Sequence, residues 1–208
     1  MSEIQSTNRS LAHWLFNPFQ FIAGLQALLI GLLIILLSAF IGSLSNTHFD
    51  GVLDVHTGAA APWWVFPAEG IIDWLCLAVP LFLFGLIFSP TSFRAIDVFG
   101  TQALARWPLV FAAVAMLPSA NQRVGQYLQS KLVPASAAVM PSSLDWAIFA
   151  IAIIITILAI IWMVALMYRA YAVSCNLKGP KAVVTFIIGL IGGEIFSKVV
   201  LYILISRV

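Results

Sequence analysis

Two histidines and two aspartates fall within nine residues, in the segment Thr47-His48-Phe49-Asp50-Gly51-Val52-Leu53-Asp54-Val55-His56-Thr57-Gly58. The order is nearly palindromic, His-x-Asp followed by Asp-x-His. Imidazole nitrogen suits zinc and its neighbours, and carboxylate oxygen suits harder ions, so this pairing is the chemistry of a divalent-metal site. All four occupy even positions, which puts them on one side of an extended segment. A straight strand would separate His48 from His56 by about 26 Å, too far for one ion. One shared site therefore requires a turn, and Asp50-Gly51 is a favourable dipeptide for it because Gly accepts the positive φ of tight turns.

Glu69 and Asp73 follow at helical spacing and share one helix face. The candidate metal ligands are thus His48, Asp50, Asp54, His56, Glu69 and Asp73, with zinc the representative ion and no other cofactor indicated. Glu194 and Lys198 form a second pair four residues apart, deep in an apolar run. A charge at mid-membrane costs ~2.5–3.5 kcal/mol on insertion scales, so such residues turn toward a protein interior or cavity. Self-neutralisation that fixes helix rotation is the simpler role for this pair. Arg106 is a third intramembrane polar residue, and counting along its run puts it nearer the inner half. No Ser or Cys nucleophile has an adjacent base, which disfavours covalent catalysis. A metal-dependent hydrolase remains the enzymatic alternative, with Glu69 or Asp73 as base beside a metal-bound water. A solvated loop whose His residues cap turns is the plainest reading of the 46–58 segment.

The elements that must position these groups are five apolar runs, approximately 20–44, 71–88, 98–117, 144–168 and 182–205. Each is long enough for a helix to cross a hydrocarbon core, which needs about 20 residues. None shows the alternation of a membrane barrel strand. Hydrophobic residues make up 62% of the 208-residue chain and charged residues 9%, against about 25% charged in soluble domains. The fold class expected is all-α: a polytopic membrane bundle of five transmembrane helices, residues 20–208, after a cytoplasmic segment 1–19. A net charge of +2 without a basic cluster argues against a nucleic-acid partner. Cys76 and Cys175 are expected to be small buried hydrophobes rather than a disulfide.

Further features refine this frame. Leu11, Trp14 and Leu15 share a face, which predicts a short interfacial turn over residues 10–16, and Asn17-Pro18 then suits a helix start. Val124, Tyr127, Leu128 and Leu132 recur at helical spacing opposite Gln122, Arg123, Gln126 and Gln129, which predicts a short outer helix lying on the membrane or capping the bundle. Pro80 and Pro108 are expected to kink spans two and three. Gly189 and Gly193 have the spacing that lets helices approach closely, within the chain or against a second copy or another membrane protein. Lys and Arg counts place Arg9, Arg94, Arg169, Lys178 and Lys181 inside and Arg123, Lys131 and Arg207 outside. The expected localisation is a multi-pass protein of the cell membrane, N-terminus cytoplasmic and C-terminus outside. Membrane lipids are then its first partners.

The stretch Ser92-Phe93-Arg94-Ala95-Ile96-Asp97-Val98-Phe99-Gly100-Thr101-Gln102-Ala103-Leu104-Ala105-Arg106-Trp107-Pro108, the Asn17-Pro18-Phe19 start of span one and the five-span topology resemble the Ypt-interacting-protein (Yip) family, in particular its short prokaryotic members. The resemblance implies a five-helix membrane bundle. Eukaryotic members of that family act in vesicle traffic through a longer cytoplasmic N-terminal region, so with 19 residues before span one, GTPase binding of that kind is not expected here. The function expected is a non-enzymatic integral membrane protein of the Yip type that binds a partner, lipid or small ion through an outward polar site, transport being its more specific form.

Overall fold

The structure is a computed structural model that describes residues 11–132 and 139–205. Five of its helical segments are long and apolar enough to cross a membrane: Gly24–Ser43, Val65–Phe88, Ala95–Met116, Ser143–Ser174 and Gly179–Leu204. The protein is an all-α bundle. In chain order the elements are α1 (Leu11–Phe16), a single turn at Pro18–Gln20, α2 (Gly24–Ser43), β1 (Thr47–His48), β2 (His56–Thr57), α3 (Val65–Phe88), α4 (Ala95–Leu104), α5 (Leu109–Ala115), α6 (Ser119–Leu132), α7 (Ser143–Ser174) and α8 (Gly179–Ile205).

The helices expose apolar side chains all round, including Leu33, Ile87, Leu158 and Tyr202. In water that surface would drive association; in lipid it is the natural outer face. The third span, formed by α4 and α5, is the exception. Two thirds (67%) of its most apolar stretch is buried, against 22–39% for the other four; it sits at the centre, packed by α2, α3 and α7, while α8 packs mainly on α3. Close approach of α2 to α4 depends on Gly31: a Cβ there would lie 2.4 Å from Leu104 N and 2.5 Å from the Ala103 carbonyl carbon. Gly193 does the same for α8 on α3, where a Cβ would meet Cys76 O at 3.0 Å. The Gly189/Gly193 spacing thus serves packing within the chain.

Several boundaries differ from expectation. The first span starts at Gly24 rather than residue 20, because Pro18–Gln20 closes a separate tight turn and Asn17 makes no side-chain cap. The second starts six residues early, at Val65, placing Glu69 and Asp73 inside α3 instead of at its mouth. Pro80 leaves α3 continuous. Pro108 does not leave its helix intact: the third span breaks over residues 105–108, where Arg106 N–H donates to Ala103 O (3.2 Å) and Trp107 N–H to Leu104 O (3.2 Å). A proline cannot donate to the ladder and crowds the preceding turn, so the chain tightens into three-residue turns there.

At 32 residues, α7 is about 48 Å long and outreaches a hydrocarbon core of about 30 Å. Ser142 and Asp145 form a reciprocal capping box at its start, and Arg123 of α6 pairs with Asp145. The amphipathic α6 is thereby tied to α7 and also rests on the hairpin, where a Cβ at Gly125 would meet Thr57 Oγ1 at 2.4 Å. Cys76 and Cys175 are both buried free thiols.

Candidate ion-binding site

The palindromic segment folds back on itself. Strands β1 and β2 pair antiparallel, Thr47 opposite Thr57 and His48 opposite His56, and Gly58 N–H closes the ladder onto Asn46 O at 2.9 Å. Asn46 takes the positive φ (48°) needed to leave α2, a conformation that Asn tolerates. Gly51 is needed for room, not for a positive φ. A Cβ on it would lie 2.7 Å from Glu194 Oε1 and 3.1 Å from Asp54 Cβ. Gly58 plays the same part beneath His48, whose Cδ2 a Cβ would meet at 2.5 Å. Phe49 and Val52 at the turn are buried in the main core, so apolar burial pulls the loop down into one end of the bundle and takes Thr47 and His48 with it, while Asp50, Asp54 and His56 stay nearer the surface.

Two separate polar clusters result. In the first, His48 Nδ1 faces Glu69 Oε1 at 2.7 Å and His48 Nε2 faces Ala59 O at 3.0 Å. Both ring nitrogens meet acceptors, which is the pattern of the doubly protonated ring. Burial opposes the charge, but the bonds to Glu69 and Ala59 outweigh it and raise the His48 pKa. Glu69, fully buried, uses its other oxygen to accept Phe49 N–H at 3.1 Å. These contacts pin the hairpin to α3, and they leave His48 no lone pair for a metal.

The second cluster holds Asp50, Asp54 and His56, each offering a ligand atom within 4.8 Å of the others. His56 Nδ1 lies 3.3 Å from Asp50 Oδ1 and 3.8 Å from Asp54 Oδ1. Those carboxylates push the His56 pKa up to about 10, and His56 in turn holds both Asp50 and Asp54 below the usual carboxylate range. From α8, Lys198 pairs with Asp54 and lies 3.6 Å from Glu194 Oε1. Glu194 Oε2 accepts Leu53 N–H at 2.9 Å, so the α8 pair reaches the loop. The His48 and His56 rings stack 5.8 Å apart and join the clusters. A cavity of about 450 Å³ opens beside them, lined by His48, Asp50, His56, Ala59, Pro62 and Glu69 among others.

Of the six candidate ligands, the fold brings Asp50, Asp54 and His56 together and assigns His48 and Glu69 to each other. Asp73 stands apart. It is fully buried in α3, with neither oxygen hydrogen-bonded, and it feels the charge of Arg106. Arg106 sits at the middle of its span, eleven residues from Ala95 and ten from Met116. Sequence reading also missed the main-chain partners, Ala59 O and the N–H groups of Phe49 and Leu53, which carry no side-chain signal.

In comparisons with known proteins, no family model, curated protein or solved structure matches the chain.

Proposed function

We propose that the chain is a non-enzymatic integral membrane protein that binds a small divalent cation, zinc being representative, in the polar cup at the hairpin end of its bundle. Carrying this reading is one observation: two carboxylates and an imidazole offer ligand atoms within 4.8 Å of one another beside an open cavity. Three protein ligands with room beside them suit an exchangeable ion whose remaining positions are taken by water. Without the ion, His56 and Lys198 neutralise part of the acidic cluster, so a cation enters by displacing the His56 proton and competing with Lys198. That competition favours weak, reversible binding, which suits uptake or transport.

The hydrolase alternative is less well supported. Both oxygens of Glu69 are engaged, and Asp73 lies within α3, so neither is a free base beside the three ligands. The excess of Lys and Arg in segments at the other end supports the hairpin facing outward and the N-terminus facing the cytoplasm of a cell membrane. The resemblance of residues 92–108 and of the five-span order supports a Yip-type protein, with lipids and a second copy or another membrane protein as partners.

Calorimetric titration of the detergent-purified, chelator-treated protein with zinc tests the reading. Saturable one-to-one binding, lost in His56→Ala and in Asp50→Asn/Asp54→Asn, is the expected result. Wild-type heats no different from the double variant's would refute it.

A further inference from the structure

Arg169 stands where an arginine is costly. Ser174 Oγ lies 2.9 Å from Thr101 Oγ1 and 3.3 Å from Asp97 O, so the end of α7 is level with Asp97, near the start of α4. Arg169 comes five residues before Ser174, about 7 Å farther into the bundle. It is exposed, on the stripe of α7 that also turns Ile161 and Ala165 toward lipid. Cα–Cβ bonds in a helix tilt toward its N-terminus, here toward the membrane interior. The guanidinium must therefore bend back along the helix to leave the hydrocarbon.

No described acid of the protein meets it. Asp97 is the one acid at this end among the described residues, and Arg94 takes both its oxygens, at 2.9 Å each. Lys178 and Lys181 add two exposed cations at the same end. They flank the start of α8, which has no acid in its first turn and whose dipole disfavours cations. Among the described residues, none of these three cations has an ion-pair partner. The turn that presents the lysines is held firmly: Leu177 N–H donates to Ala172 O at 3.0 Å, and Ser89 Oγ–H to Cys175 O at 2.7 Å. Tyr171 and Thr185 join α7 to α8 just above it, hydroxyl to hydroxyl, at 2.9 Å.

We propose that Arg169, Lys178 and Lys181 form a binding surface for anionic phospholipid headgroups, with one lipid phosphate paired to Arg169. A guanidinium matches a phosphate with two parallel hydrogen bonds. The lysines select for net negative charge, because they repel the ammonium of a zwitterionic headgroup and attract an anionic one. The occupant is a lipid, since Arg169 projects from a face whose neighbours are apolar and whose depth only a membrane phosphate shares. This surface rests on the bundle spanning a membrane and not on the cation cup, which lies at the other end.

The test is native mass spectrometry of the detergent-purified full chain, titrated with dioleoylphosphatidylglycerol and separately with dioleoylphosphatidylcholine. The first phosphatidylglycerol should bind at least about tenfold more tightly than the first phosphatidylcholine, since each cation near an anionic headgroup contributes about fivefold. Arg169→Gln, and Lys178→Gln with Lys181→Gln, should each weaken phosphatidylglycerol several-fold and narrow the gap between the lipids. Lys131→Gln, at the opposite end of the bundle, should leave both unchanged. Excess sn-glycerol 3-phosphate should not displace the lipid. Every substituted side chain is exposed, so melting temperatures should stay at the wild-type value. Equal wild-type affinities for the two lipids would overturn the proposal, as would undiminished phosphatidylglycerol binding in Arg169→Gln. An equal loss in Lys131→Gln, the mark of a general charge effect, would do the same. So would displacement by glycerol phosphate, the mark of a soluble-anion site.

Discussion

Glu69 holds the hairpin to the bundle, and its removal can be worked through bond by bond. The side chain is fully buried and accepts two hydrogen bonds, from His48 Nδ1 and Phe49 N–H. Glu69→Ala leaves two buried donors without acceptors, one on a charged ring. An orphaned neutral donor costs about 1–3 kcal/mol and breaking a buried charged pair about 3–5 kcal/mol. Because His48 can shed its proton, the lower part of that range applies, and a loss of about 3–4 kcal/mol is expected. Glu69→Gln is milder. Its carbonyl can accept Phe49 N–H and its amide can donate to an unprotonated His48 Nδ1, while Nε2–H still reaches Ala59 O. One charge-assisted bond becomes a neutral one, at a cost of about 1–2 kcal/mol. The Gln variant should also lower the His48 pKa, because the Glu69 bond that raises it is gone. Thermal unfolding followed by a thiol-reactive dye on buried Cys76 and Cys175 reads the first effect, and NMR titration of labelled histidine reads the second. A His48 titration unchanged in Glu69→Gln, or a loss below about 1 kcal/mol in Glu69→Ala, would refute the pin.

Hairpin stability should also follow pH in a defined window. His56 has its folded pKa raised to about 10, so its contribution is complete below the ordinary histidine value of about 6.5 and fades as pH rises through 10. Asp50 and Asp54 are depressed, so theirs is present above about pH 4 and fades as pH falls below it. These groups are part-exposed and screened, so each limb should amount to about 1 kcal/mol; hydrogen exchange of the hairpin amides that stays flat from pH 4 to 10.5, after correction for intrinsic rates, would contradict it. Gly31→Ala should cost more than about 2 kcal/mol, because its Cβ meets the α4 backbone and a backbone cannot step aside as a side chain can. Gly192→Ala, with nothing within 4 Å of the new Cβ, should be neutral or stabilising by up to about 1 kcal/mol. Equal melting temperatures for the two variants would show that α2 and α4 are not so close.

Membrane class, five spans and the chemical character of the loop were legible because each rests on local information. An apolar run must find lipid or protein wherever it lies, and a charge within it must find a partner or a cavity. The His-x-Asp and Asp-x-His pairs read equally well as local chemistry, and the need for a turn between them followed from distance alone. The chain reverses about residue 52, with Asp54 N–H donating to Gly51 O, rather than tightly at Asp50-Gly51. Gly51 itself was misread: the residue is there to clear Glu194, a neighbour 143 positions away, and no local rule contains that contact.

Tertiary structure alone decided how the polar residues are sorted. Six look-alike ligands became a pinned pair, His48 with Glu69, an open triad of Asp50, Asp54 and His56, and an isolated Asp73. The sorting follows from Phe49 and Val52 sinking into the core, from α3 beginning at Val65 so that Glu69 lies under the hairpin, and from α8 packing close enough at Gly193 to present Glu194 and Lys198. Side-chain type states which bonds a residue can make. Which of them it makes depends on helix start, rotation and depth, and those are set by packing between segments far apart in the chain.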